Sequence, residues 1–529
     1  MSSPADRGRA GELLAEARRL IALRRSHLAV PLFNEALKLD PDNAELRFHA
    51  GSHALRQGMP DLALRHLKRC VAADPAHAAA WVQIGGCHML AGRHADAAEA
   101  YGHARQGTGK ESGPNWRHAR ALRLAGRHDE ALAELRDVFA AASAETAAFH
   151  EQAVLHLDLG RRDLAAAIWQ RLATRAGESL VSATARARLA MLDSPQTDMS
   201  RARRVAFHLK SAFHESVLVP GYLACHRHHH VLVSHDAEEL VAFDPEVIVA
   251  CDSHLSGLKA LMPRAVTVQT RHGMGSKGHA ALLARTCDYF CLSHASQEAF
   301  FTNQGIHPPG GYWPIGYLQL DPLLNGSVMP PDLSPREGRP VVLFAPTIGD
   351  SVSALGMLGE DPVAALRSDA ESFLLVIKPH PELQARHPAW WQALTASAQR
   401  HDGVVLVDQA ARDIMPYIAA CDLLVTDVSS VMFFAVAVDR PLVLLSNPAR
   451  HTQPDRFDPD GPEWRWRCAG EEVEDAMHLA QAIAVSLGDP ARHAAGRVAC
   501  REAMFGDLTD GRAGERLARR IADLAAGSR

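Results

Sequence analysis

A 34-residue period runs through the first third of the chain. Gly58, Gly92, Gly126 and Gly160 are each 34 residues apart; five residues after each stands an alanine (Ala63, Ala97, Ala131, Ala165), and nine after each a large apolar residue (Leu67, Tyr101, Leu135, Trp169). A fixed period of this length marks stacked helical pairs, which bury a continuous core only by packing on their neighbours. The glycine ends the first helix of a pair, the alanine lets two helices cross closely, and the large residue fills the space between pairs. Extending the register backward gives Ala29 and Phe33, while Pro41 and Pro75, again 34 apart, stand where one pair ends and the next begins.

This pattern resembles the tetratricopeptide repeat over roughly residues 10 to 195, with a fourth unit whose sequence drifts as in a terminal or domain-contacting repeat. Residues 1–195 are therefore expected to form an all-α solenoid of about four or five units. Its concave face is expected to take a protein partner, the alternative being a spacer or oligomerisation arm.

The whole chain, at 529 residues, exceeds what one core supports, about 250 to 300 residues. A net charge of -5 supplies no broad basic field, so nucleic acid is not expected as a partner and any anion site must be local. The nine cysteines are scattered, and Cys287 and Cys291 lack a second pair at metal-site spacing, so they read as reduced thiols of a cytoplasmic protein. The run His226-Arg227-His228-His229-His230 reads as a helix end or loop, and neither a metal nor a cofactor is expected. The first twenty residues are charged throughout, and no stretch approaches the roughly 18 apolar residues of a membrane span. Membrane contact is expected to be at most peripheral, on the inner face of the cytoplasmic membrane.

After the polar junction SPQTDMSRARR the periodicity changes to short apolar runs separated by helical segments, the mark of alternating strand and helix. Strands are expected at 204–209, 246–251, 265–270 and 288–293, then at 341–346, 373–378, 403–408, 422–427 and 441–445. The two groups predict two Rossmann-like lobes, 204–330 and 338–525, facing each other across a cleft. Ligands of such sheets bind beyond the carboxyl ends of the strands.

Three polar clusters follow apolar runs in that manner. In QTRHGMGSKG, His272 comes just after a strand and is placed to take a proton, Gly273 lets backbone approach a ligand, and Lys277 can meet a phosphate; an ordinary glycine turn is the alternative. In IKPHP, Lys378 and His380 are held by stiff prolines and suit a diphosphate, unless the segment is a plain surface loop. In VTDVSSVMFF, Asp427, Ser429 and Ser430 precede an apolar helix, a natural phosphate cradle that is equally compatible with simple helix capping.

The order of these clusters resembles the CDP-glycerol glycerophosphotransferase family, over roughly residues 204 to 505. The resemblance implies a glycosyltransferase-B-type fold and a transferase for teichoic-acid-like polymers. It assigns His272 and His380 as catalytic, His272 as general base and His380 with Lys378 at the donor phosphates, and Asp427, Ser429 and Ser430 to the diphosphate, with Thr347 of the APT element as a further donor contact. Gly316, Tyr317 and Asp321 match the family's Gly-Tyr-Pro-Arg-x-Asp connector, although its arginine is missing here. The chain also carries Arg271-His272-Gly273-Met274-Gly275 where the family has Trp-His-Gly-Thr-Pro. The implied reaction moves glycerol phosphate from CDP-glycerol to a hydroxyl of a glycan, a lipid-linked chain or a protein. The rival expectations are a sugar-nucleotide glycosyltransferase of the same fold and a catalytically inactive recruiting protein.

Overall fold

In the computed structural model the described residues are 2–524, apart from 24, 109–111, 114, 142–144, 175–178, 275–284, 334–337, 350, 368–371, 409–410, 412 and 453–459. The amino-terminal part is a succession of helical pairs: α1 (Pro4–Ala22), α2 (Ala29–Leu39), α3 (Ala44–Arg56), α4 (Pro60–Ala73), α5 (Ala78–Leu90), α6 (His94–Gln106), α7 (Trp116–Leu124), α8 (His128–Ala140), α9 (Thr146–Asp158), α10 (Arg162–Ala173) and α11 (Leu180–Leu192). The four periodic glycines end α3, α5, α7 and α9 with φ between 68° and 75°, a conformation that costs glycine least. Ala63, Ala97, Ala131 and Ala165 are fully buried, as are Leu67 and Trp169.

The close approach behind this packing is visible at Gly85, where an added Cβ would stand 2.6 Å from the buried Tyr101 ring. Gly85→Ala is therefore expected to lower stability by about 1–3 kcal/mol through overpacking, read as a reduced urea midpoint. An unchanged midpoint would mean that the ring has room to move.

The second part holds two six-stranded, all-parallel sheets. The first runs β1 (Arg204–His208), β2 (His230–Ser234), β3 (Val247–Cys251), β4 (Val266–Thr270), β5 (Tyr289–Leu292) and β6 (Tyr312–Pro314), in the order β2-β1-β3-β4-β5-β6. The second runs β7 (Val341–Ala345), β8 (Leu374–Ile377), β9 (Val404–Leu406), β10 (Leu423–Thr426), β11 (Leu442–Leu445) and β12 (Glu471–Val473), in the order β12-β11-β10-β7-β8-β9. Strand order reverses between β1 and β3 in one sheet and between β7 and β10 in the other, and those switch points are where α/β sheets open crevices for ligands.

Three strands lie outside the sequence expectation. β2 emerges from the histidine run: a helix ends at His226, and His229 is buried between Arg203 N–H and the Ala518 carbonyl. β6 and β12 are three-residue edge strands. A correction also falls on the lobe boundary. The helix Ala513–Ala522, expected in the second lobe, packs Leu517 and Ile521 into the core of the first sheet beside Phe207 and Tyr222. Asp321 fixes it there by accepting from the N–H groups of Ala513 (2.9 Å) and Gly514 (2.8 Å), two donors that a helix start leaves without intrahelical partners.

The array is locked to the first lobe through charge. The short helix α12 (Ala237–Phe243) follows β2 and presents Glu238 and Glu239, with Asp236 capping it. Arg120 of α7, only 2% exposed, reaches Asp236 at 2.5 Å and Glu151 at 2.9 Å, with Glu238 and Glu239 within 3.7 Å. Glu151 also accepts from Arg123, and Glu239 meets His150 at 3.3 Å and Arg188 at 3.5 Å. These charges are buried on both sides of the junction, so each depends on its partners.

Candidate active site

The loops at the two switch points face each other. On the first lobe, Asp252 directly follows β3 and adopts φ 39°, a left-handed conformation that aspartate tolerates better than most residues. One of its carboxylate oxygens accepts from the His272 backbone N–H at 2.9 Å and also meets His272 Nδ1. That contact fixes the tautomer: Nδ1 carries the proton toward Asp252, and Nε2 is left to accept. The His272 ring, half exposed, is packed edge-on by Phe213 at 5.1 Å. His272 beside Asp252 lowers the Asp252 carboxyl against the opposing effect of burial.

Behind this pair, His214 is 3% exposed, and its Nδ1 has no hydrogen-bond partner among the described residues. Burial pushes the imidazole down to about 4, with His272 adding to the effect. The folded protein holds His214 neutral, whereas the unfolded chain protonates it near pH 6.5. Its contribution is complete above pH 6.5 and is lost as pH falls toward 4, by at most about 3 kcal/mol. Urea midpoints at pH 7 and pH 5 should fall together less in His214→Phe than in the native chain; identical pH slopes would refute this. The donor atoms of His214, Cys251 and His272 converge within 4.8 Å. Burial pushes the Cys251 thiol far up, so it keeps its proton, and His272 Nδ1 is engaged by Asp252, so this cluster is not a ready set of metal ligands.

On the second lobe the residues divide into those that line the cleft and those that hold it. Asp427 is fully buried and accepts from Thr347 N–H (3.0 Å) and Ala354 N–H (2.8 Å), which ties the loop after β7 to the loop after β10. A buried carboxylate held by these backbone donors positions the loop. Thr347, also buried, donates its N–H to that carboxylate, and its carbonyl accepts from the Ser353 hydroxyl. Arg467, absent from the sequence reading, donates to the carbonyls of Asp427 (3.3 Å) and Leu445 (3.1 Å) and brings a buried positive charge beneath the loop.

Lys378 is 4% exposed and lies near Asp413, opposing the upward push of burial on that carboxyl. His380 Nδ1 accepts from Glu382 N–H at 3.2 Å, which leaves the neutral ring's proton on Nε2. The helix Val431–Ala437 is only seven residues long, and Ser430 at its start makes no side-chain cap. Its hydroxyl instead accepts from Met274 N–H at 2.8 Å, joining the His-Gly turn of the first lobe to the serine loop of the second. Gly273 is part of the same approach, since a Cβ there would meet Ser430 Oγ at 3.3 Å. Ser429 Oγ is within 3.4 Å of Val431 N–H. Lys277 lies outside the described residues. Asp321 is engaged by the start of the helix Ala513–Ala522, and burial pushes its carboxyl up to about 6. A narrow cavity of about 30 Å³ opens beside the turn, lined by Arg271, Gly273, Met274, Phe301, Tyr317 and Met504.

Residues 256–523, just over half of the chain, match the family described as CDP-glycerol:poly(glycerophosphate) glycerophosphotransferase. The chain belongs to that family. Residues 14–63 and 50–109 match the tetratricopeptide repeat. A TPR repeat-containing protein of Pseudomonas aeruginosa is 42% identical over 60 residues, 11% of this chain; the chain spans 57% of that curated relative's length. Among solved structures, the wall teichoic acid polymerase TagF aligns over 71% of this chain and 96% of its own at 13% identity and a TM-score of 0.43. A Listeria monocytogenes protein described as a UDP-N-acetylglucosamine 2-epimerase aligns over 60% of this chain and 96% of its own at 15% identity and a TM-score of 0.44. MamA aligns over 29% of this chain and 90% of its own, at 20% identity and a TM-score of 0.27. Members of the glycerophosphotransferase family are transferases, and among the described residues no helix is long and apolar enough to cross a membrane.

Proposed function

We propose that this protein transfers glycerol phosphate from CDP-glycerol to a hydroxyl of a glycan, lipid-linked or protein acceptor in the synthesis of a cell-surface polymer. The observation that carries this reading is the His272–Asp252 pair at one switch point, held against the Ser430 loop of the other by the Met274–Ser430 hydrogen bond. An oriented imidazole opposite a phosphate-type loop is the minimum machinery for activating a hydroxyl against a bound diphosphate.

The acceptor hydroxyl gives its proton to His272 Nε2 as its oxygen attacks the donor's β-phosphorus. The new O–P bond forms as the bond from that phosphorus to the CMP oxygen breaks, and CMP leaves with the electron pair. Asp252 keeps Nδ1 protonated and offsets the positive charge that the ring acquires. Lys378 offsets charge on the donor phosphates, and His380 Nε2–H and the hydroxyls of Ser429 and Ser430 donate to them. Ser430 can do so while still accepting from Met274, because a hydroxyl has one donor and two acceptor positions. Thr347 and Asp427 act by holding the loop in place.

Isothermal titration of CDP-glycerol, CMP and UDP-sugars into the native chain and into the Ser429→Ala/Ser430→Ala variant tests this. Selective binding of CDP-glycerol, weakened about tenfold or more in the variant by loss of two charge-assisted hydrogen bonds, is expected. Selective binding of a UDP-sugar would sink the reading in favour of glycosyl transfer, and a chain that binds no nucleotide would be a recruiting protein.

A further inference from the structure

The 34-residue register allows positions on the inner face of the array to be compared from unit to unit. Leu14, Phe48, Val82, Trp116 and His150 occupy one equivalent position, and Arg18, Ser52, Gly86, Arg120 and Val154 another, four residues further along each helix. In the later units this face already meets the chain's own first lobe, with a cavity of about 230 Å³ left between Trp116, His150, His235 and Glu239. Glu238 lies against Gly86, Arg120 grips Asp236 with Glu238 and Glu239 close by, and His150 meets Glu239. The array thus shows in cis what it recognises: an acidic helix start, seated beside an aromatic position and held by an arginine.

The same face continues, unfilled, through α1 and α3. Leu14 and Phe48 are partly exposed at the position that carries Trp116 further on. Arg18, three periods before Arg120, is exposed and makes no ion pair or side-chain hydrogen bond among the described residues, and the same is true of Arg56. Arg56 stands four residues after Ser52 on α3 and so on the same face of that helix, and Arg18 and Arg56 add to burial in holding the His49 imidazole low. Glu45 is the acidic residue here, and it is met by His49 at 2.9 Å.

We infer that the inner face of the first two repeats docks an acidic helical segment of a partner protein, with Arg18 taking the role that Arg120 plays toward Asp236. The argument rests on continuity with the filled part of the groove and on charge: two unpaired arginines beside an apolar stripe select carboxylates next to aliphatic or aromatic side chains. It stands independently of the reaction proposed above. In the later repeats Arg120 is already engaged by Asp236 of the same chain.

Fluorescence anisotropy of a labelled peptide with the sequence of residues 234–245 (SHDAEELVAFDP), titrated with the full chain, tests the inference. Binding is expected to weaken with added salt and to fall at least about tenfold in Arg18→Glu/Arg56→Glu, and a peptide with its carboxylates replaced by amides should not bind. The double variant must keep the native thermal midpoint, since both side chains are exposed. The inference is overturned if the peptide fails to bind the native chain, if the double variant or the amide peptide binds as tightly, or if the native chain is a dimer that the double variant dissociates, which would make a second copy the occupant.

Discussion

Asp252→Asn is expected to lower the rate of glycerol phosphate transfer by about a hundredfold to ten-thousandfold, the range general-base catalysis commands, with CDP-glycerol affinity little changed. Asparagine tolerates the left-handed backbone at this position and its carbonyl can still accept from the His272 N–H, so the turn should survive. What it cannot do is balance the positive charge of an imidazolium, so the ring is a weaker base toward the acceptor. Pre-steady-state transfer and CDP-glycerol titration on the same preparation check this: the transfer rate should fall while the variant titrates CDP-glycerol normally. Equal loss of donor affinity and rate would mean that Asp252 shapes the donor pocket and does not act through His272.

Asp252 was within reach of the sequence. It directly follows EVIVAC, and the rule that polar residues after apolar runs line the cleft had already singled out His272, Lys378 and Asp427. The same rule did not show the loop contacts of Asp427, because position after a strand does not distinguish a side chain aimed at a ligand from one turned back onto the neighbouring loop. Only the pairing of β7 with β10 brings Thr347 N–H onto its carboxylate. The repeat was legible because its period is set by packing alone, and Gly85 against Tyr101 shows how strict that packing is. What fills the inner face was not, since Arg120 and Asp236 are 116 residues apart and nothing local marks them as partners. β2 escaped notice because three histidines stand immediately before its apolar run VLVS.

The second large effect is expected at that junction. Arg120→Ala should destabilise the chain by about 3–5 kcal/mol, the cost of breaking a buried ion network from one side. Asp236, Glu151 and Glu239 all lie within its reach, and all are taken from water when the array docks. The alanine leaves them facing one another. Arg120→Met, which fills the space without the charge, should cost about as much as long as the acids remain, and the triple variant Arg120→Met/Asp236→Asn/Glu239→Gln should recover part of the loss. Urea unfolding followed by both tryptophan fluorescence and far-ultraviolet circular dichroism distinguishes two results. Coincident transitions at lower urea show a weakened but single cooperative unit, whereas separated transitions show that Arg120 is what couples the solenoid to the catalytic half. A variant as stable as the native chain would show that the network is no better than its hydrated alternatives.

The helix Ala513–Ala522 gives the chain a timing problem during synthesis. Its Leu517 and Ile521 belong to the core of the first sheet, yet 192 residues separate Asp321 from the Ala513 N–H that it holds. At a synthesis rate of about 5 to 20 residues per second, the first sheet emerges and then waits some ~10 to 40 seconds for the piece that closes it. During that interval Phe207 and Tyr222 lack the apolar neighbours that later cover them, while the whole second lobe is being made and folded. A nascent chain stalled within this window would carry a finished solenoid and an open sheet, the state in which it most needs a chaperone.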